Sequence, residues 1–179
     1  MKILLEAGGT VNQAKTTNGT SPLFMASQNG NVDLVKVLLN AGGNVNQVTT
    51  TDGITPLWYA SQDGNVAIVK VLLKAGGNVN QVRTTTGSSP LMMASQNRNV
   101  ALVKLLLEAG GNVNQHRFDN RTPLNIASDE GHTEIVRLLL QQPNIDLNKK
   151  DDWNTTALGI ATEKNHTEVI QLLQDAGAK

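Results

Sequence analysis

Hydrophobic and polar positions change their spacing along the chain in a regular order. In residues 55–77, TPLWYASQDGNVAIVKVLLKAGG, a short amphipathic stretch runs to about Asp63, and Val66, Val69, Val71, Leu72 and Leu73 then make a stripe too broad for a surface helix. The spacing predicts two helices, the second sandwiched between neighbours. The punctuation agrees. Thr55 can cap the first helix, and Pro56 fits its first turn, where a missing N–H costs nothing. Gly64 suits the left-handed position that ends this helix, Asn65 can cap the second, and Gly76-Gly77 stops it. Beyond them VNQVRTTTG alternates and turns like a hairpin, with Thr and Val favouring extended backbone.

The same order recurs. SPLFMASQNGNVDLVKVLLNAGGNVNQ from Ser21, TPLWYASQDGNVAIVKVLLKAGGNVNQ from Thr55 and SPLMMASQNRNVALVKLLLEAGGNVNQ from Ser89 nearly coincide, and looser copies start at Thr122 and Thr156. Pro22, Pro56 and Pro90 are 34 residues apart, Pro123 follows after 33, and Ala157 stands 34 further on. Such a period describes stacked units in a solenoid, each unable to bury its apolar face alone.

The TPL turn, the Gly between helices, the V-K-x-L-L stripe and the A-G-G-N-V-N ending together resemble ankyrin repeats over essentially the whole chain. The resemblance implies an all-α ankyrin-repeat solenoid of helix-turn-helix units, with β-hairpin fingers and a concave groove. It implies one domain over 1–179: a partial repeat at 1–17, full repeats at 18–51, 52–85, 86–118 and 119–152, and a C-terminal capping repeat at 153–179. Two departures stand out. The family's T-P-L-H-x-A signature has no His here, its place being taken by Phe24, Trp58, Met92, Asn125 and Gly159, so apolar packing is expected where that His would tie neighbouring turns. The first three fingers carry an extra residue, expected to lengthen the tip.

At the ends, Met1 to Ala7 match only the close of a second helix, so the chain is expected to start inside a larger array. Gln174 replaces the Leu of the other repeats, as a polar capping face requires. An engineered array would explain the near-identical middle copies but neither Arg98 at a Gly position nor the missing His.

Composition narrows the function classes. Fifteen basic residues balance fifteen acidic ones, and no run of about 18 apolar residues occurs, which disfavours nucleic acid and membrane as partners. With no cysteine there is no thiolate nucleophile, disulfide or cysteine-ligated zinc. His116, His132 and His166 do not assemble with other groups into a metal site or a nucleophile-base pair, so neither catalytic residues nor a cofactor or metal are expected. His132 and His166 read instead as turn residues capping second helices. AGGNVNQ follows helices rather than opening them and lacks the ending of a phosphate loop. Of the sequons at Asn18, Asn120, Asn154 and Asn165, three sit at fingers or repeat starts, where glycans would obstruct the groove, which favours a cytoplasmic location or delivery into a host cytosol.

The resemblance also implies where a partner is met. Its concave row comprises Met25, Gln28 and Asn29, then Tyr59, Gln62 and Asp63, then Met93, Gln96 and Asn97. Ile126, Asp129 and Glu130 continue it, followed by Ile160, Glu163 and Lys164. Phe24, Trp58 and Met92 are expected to fill space between repeats, with Tyr59 on the groove. Arg98 reads either as drift tolerated at modest strain or as a cation beside the groove. Residues 1–117 hold nine basic and five acidic residues and 118–179 hold six and ten, so Asp119, Asp129, Glu130, Asp151, Asp152 and Glu163 could receive a basic segment. The expected function is a non-enzymatic protein-protein interaction module for a protein or peptide. The alternatives are a structural spacer or assembly segment of a larger repeat protein, and an engineered scaffold. A monomer is expected, with self-association through the N-terminal repeat as the other state.

Overall fold

Pro opens the first helix of four of the five described units, and the hydroxyl just before it holds the helix in place. The computed structural model describes residues 10–179. Met1 to Ala7, expected to close a second helix, lie outside them. Ser21, Thr55, Ser89, Thr122 and Thr156 each accept the backbone N–H three residues on, starting α1 (Pro22–Gln28), α3 (Pro56–Gln62), α5 (Pro90–Gln96), α7 (Pro123–Asp129) and α9 (Ala157–Glu163). Each alternates with a second helix: α2 (Val32–Asn40), α4 (Val66–Lys74), α6 (Val100–Glu108), α8 (Thr133–Leu140) and α10 (Thr167–Asp175). Helices of this length are marginal alone in water, so neighbouring units hold them.

The pairs stack serially, first helix on first helix and second on second. Ala26, Ala60, Ala94, Ala127 and Ala161 recur at one buried position of the first helices, where a small side chain lets the helices approach closely. The second helices bury Val35, Leu38, Ile68, Leu72, Leu102, Leu106, Ile135 and Leu139 completely. At about 1.5–3 kcal/mol for each large aliphatic side chain, this continuous column is the main source of stability.

An asparagine ladder runs along the stack. The second Asn of each N-V-N donates from its side chain to one backbone carbonyl of the next unit and accepts a backbone N–H from that unit. Asn46 thus spans Gly76 O at 3.1 Å and Asn78 N at 2.7 Å, and Asn80 spans Gly110 O at 3.1 Å and Asn112 N at 2.8 Å. Asn12 and Asn114 do the same.

The fingers differ from the expected hairpins: no strand occurs among the described residues. Each finger closes on itself through a backbone bond such as Arg83 N–H to Ser88 O, with a turn bond such as Gly87 N–H to Arg83 O inside it. It meets the next finger through one more, as in Thr84 N–H to Asp52 O and Phe118 N–H to Thr86 O. One bond per interface is too few for a ladder. The closing bond spans five residues at Thr49–Ile54 and Arg83–Ser88 but four at Arg117–Arg121 and Asp151–Thr155, so the additional residue sits in the turn. Gly87, at φ 73°, lies beneath the Phe118 ring, which a Cβ would meet at 2.9 Å.

Candidate functional site

The row expected on the concave face divides by depth. Gln28, Asn29, Gln62, Asp63, Gln96, Asn97, Glu130, Glu163 and Lys164 are exposed at the C-terminal ends of the first helices, while Met25, Tyr59 and Asp129 are half-buried. Met93 (8%) and Ile126 (4%) correct the expectation of open apolar positions: they are buried in a seam with Phe24, Ile54, Trp58 and Met92. Ile160 is buried as well. First helices held close by the repeated Ala leave no gap, so the apolar side chains of adjacent units close over one another. Tyr59 stands at the edge of that seam, its ring edge-on to Phe24 with centroids 5.4 Å apart. The open part of the row is therefore a polar band, itself partly tied up: Asn97 donates to the Gln62 carbonyl, and Lys164 pairs with Asp129 at 3.5 Å.

The fingers form the other wall. Phe118 and Trp153 are 67% and 66% exposed. The Arg121 guanidinium lies over the Trp153 ring at 5.2 Å and pairs with Asp129 at 2.9 Å and Asp151 at 3.3 Å. Asp151 is buried, and its other carboxylate oxygen accepts the N–H groups of Trp153 and Thr155. Asp119 pairs with Arg117 at 2.8 Å, and Asp152 accepts from the Asn120 side chain at 2.7 Å. Four of the six acids expected to receive a basic segment are thus engaged within the chain. Glu130 and Glu163 make no ion pair among the described residues.

The family model for ankyrin repeats (3 copies) matches residues 1–83 and 91–179. The chain belongs to the ankyrin repeat family. No curated protein matches it. Ankyrin repeats are generally protein-protein interaction modules, and this fold is typically non-enzymatic.

Within this ankyrin stack the place of the missing His is filled in different ways. Phe24 and Met92 pack, as expected. Trp58 packs and also bonds: 2% exposed, it donates from its indole N–H to Ser88 O of the next unit at 2.8 Å, beneath the Arg83 guanidinium at 5.8 Å. Asn125 turns inward to complete a capping box with Thr122.

His132 and His166 correct the capping expectation. Both occupy the N-cap position, yet neither side chain caps its helix. Their Nε2 atoms lie 3.0 Å from Gln96 O and Asp129 O of the preceding unit. Asn99, at the same position, does both jobs, accepting Leu102 N–H and donating to Gly64 O. The longer imidazole reaches across the interface and loses the cap. Arg98 is exposed at φ 57° in the turn between α5 and α6, lining an open cleft with His132, Glu134, Arg137 and Glu168. That cleft is not lined by the polar row. Among the described residues no His, Asp and Glu converge as a metal site, and no helix is long and apolar enough to cross a membrane.

The sequence reading missed the asparagine ladder and a cleft between two fingers. The ladder's signal was present, because N-V-N returns every 34 residues. The cleft has a volume of about 200 Å³ and is floored by Trp58 and Met93, with Arg83 and Arg117 beside it and Gln62 and Gln96 at its rim. It joins residues 30 or more apart in sequence, and a turn-by-turn reading does not bring them together.

Proposed function

We infer that this ankyrin domain is a non-enzymatic module that holds a protein or peptide in the angle between the fingers and the exposed ends of the first helices. One observation carries the reading. Among the described residues, the large hydrophobics that stay exposed are Val48, Phe118 and Trp153 on fingers and Val37 on a second helix. Apolar side chains left in water on the fingers of a rigid scaffold, next to a band of largely uncommitted amides, have the make-up of a docking surface. Tyr59 supplies a half-buried aromatic at the centre of the band, where a rigid ring gives contact area at low entropic cost.

The test is a peptide-display selection on the intact domain. Peptides enriched on it should lose about tenfold or more in affinity for a Tyr59→Ala, Gln62→Ala, Asp63→Ala triple variant of unchanged helical content. Enriched peptides that bind the triple variant equally well would overturn this placement.

A further inference from the structure

We propose that the cleft between Arg83 and Arg117 is a carboxylate subsite, receiving an Asp or Glu side chain of the bound peptide. The inference rests on the groove reading above and adds the chemistry of one contact. Lys15, Thr49, Arg83, Arg117 and Asp151 hold the same place in successive fingers, each donating the N–H that closes its turn. Two guanidiniums follow one another at that place once only, at the step from Arg83 to Arg117 among the described residues. Both line the same cleft of about 200 Å³.

Each guanidinium is only half satisfied. Arg83 Nη2 forms an ion pair with Asp52 at 3.1 Å, and Arg117 donates from Nη2 to Asp119 at 2.8 Å. Neither Nη1 has an acceptor among the described residues, and both Nε atoms are buried without one. The two side chains remain about one-third exposed, at 36% and 32%, so the free Nη1 donors can be reached from the groove. Guanidinium forks match a carboxylate in plane and spacing, and charge-assisted bonds of this kind are roughly twice as strong as neutral ones.

The rest of the cleft fits the same guest. Trp58 and Met93 form an apolar floor for the methylenes of an acidic side chain, and Arg83 is held over the Trp58 ring. The Thr86 and Ser88 hydroxyls bond each other at 2.7 Å. Gln62 and Gln96 at the rim offer amides to the peptide backbone. Charge disfavours a dianion. Asp52 and Asp119 already offset one unit of charge on each Arg, so they repel a dianionic phosphate about twice as strongly as a single carboxylate, which still finds two unfilled donors.

The test follows the Arg Nε–H resonances of the full chain by NMR during titration with three probes: acetyl-Ala-Glu-Ala-amide, acetyl-Ala-Gln-Ala-amide and inorganic phosphate. The Glu peptide should shift Arg83 and Arg117 together and saturably, the Gln peptide about tenfold more weakly or not at all, and phosphate no more tightly than the Glu peptide. Arg117→Gln should abolish the shift of Arg83, and Arg117→Lys, which keeps the charge and loses the fork, should weaken it. No saturable shift, equal response to the Gln peptide, or tighter binding of phosphate would each overturn the assignment. Failure here is separable from failure of the groove reading. Display-selected peptides that sense the Tyr59 triple variant but carry no acid and ignore Arg117→Gln would sink the subsite and leave the groove. A Glu peptide that titrates both arginines, when selected peptides ignore the triple variant, would do the reverse.

Discussion

Arg98 stands where Gly30, Gly64 and Gly131 serve three of the other units and Asn165 the last, and it keeps their left-handed backbone at φ 57°. A Cβ in that conformation costs about 1–2 kcal/mol, against about 0.5–1 kcal/mol for the extra freedom a Gly loses on folding. Its exposed side chain makes no ion pair among the described residues to offset this. Arg98→Gly should therefore stabilise the domain by about 0.5–1 kcal/mol, read as a higher urea midpoint at unchanged slope. An unchanged or lower midpoint would mean that the Arg makes compensating contacts. Of the two readings of Arg98, tolerated strain fits better, since the cleft it lines is not the one beside the polar row. Residue identity was legible at such points because Gly, Pro and the caps act locally. At Trp58 it was legible only in part, since the bond to Ser88 O joins residues 30 apart.

At the scale of the element, each short helix is specified twice, once by its own cap and once by the next unit. The Asn residues show both forms. Asn65 caps α4 by accepting the Ile68 N–H, while Asn80 leaves helices alone and ties two units together. Asn80→Ala should remove two inter-unit hydrogen bonds and cost about 1–2 kcal/mol, taking the usual net of about 0.5–1.5 kcal/mol for each. The loss should lie at the interface: amide exchange should quicken for Gly110–Asn114 more than within α4. Equal acceleration on both sides would mean that the Asn stabilises its own unit instead. Strands were expected in the fingers because Thr and Val alternate there. That preference needs a partner ladder to become a strand, and a single bond between successive tips does not supply one.

For the whole molecule, the column of buried aliphatics makes stability nearly a sum over neighbouring units. Leu106 is fully buried in α6 and packs among its neighbours. Leu106→Ala should cost about 2–5 kcal/mol. Its effect should decay along the stack, with exchange protection falling most in α4, α6 and α8 and least in α10. Uniform loss in every helix would instead indicate one all-or-none unit. Charge is also a whole-molecule property. The excess of acids after residue 117 was visible in the sequence. Its availability was not, because Arg121 draws in both Asp129 and Asp151, the latter from the next finger.

The sequence by itself determined the architecture: the 34-residue period, the caps, the Pro and Gly punctuation and the broad stripe of second helices each act within a few residues, so their consequences can be read in order. Only the tertiary structure decided which members of the concave row are open. Met93 and Ile126 share the register of Tyr59 but are covered by side chains from adjacent units, at separations no local pattern encodes. The pairing of Arg83 with Arg117 across one cleft has the same origin. Exposure and charge pairing depend on what the next repeat places opposite, and that is settled when the repeats stack.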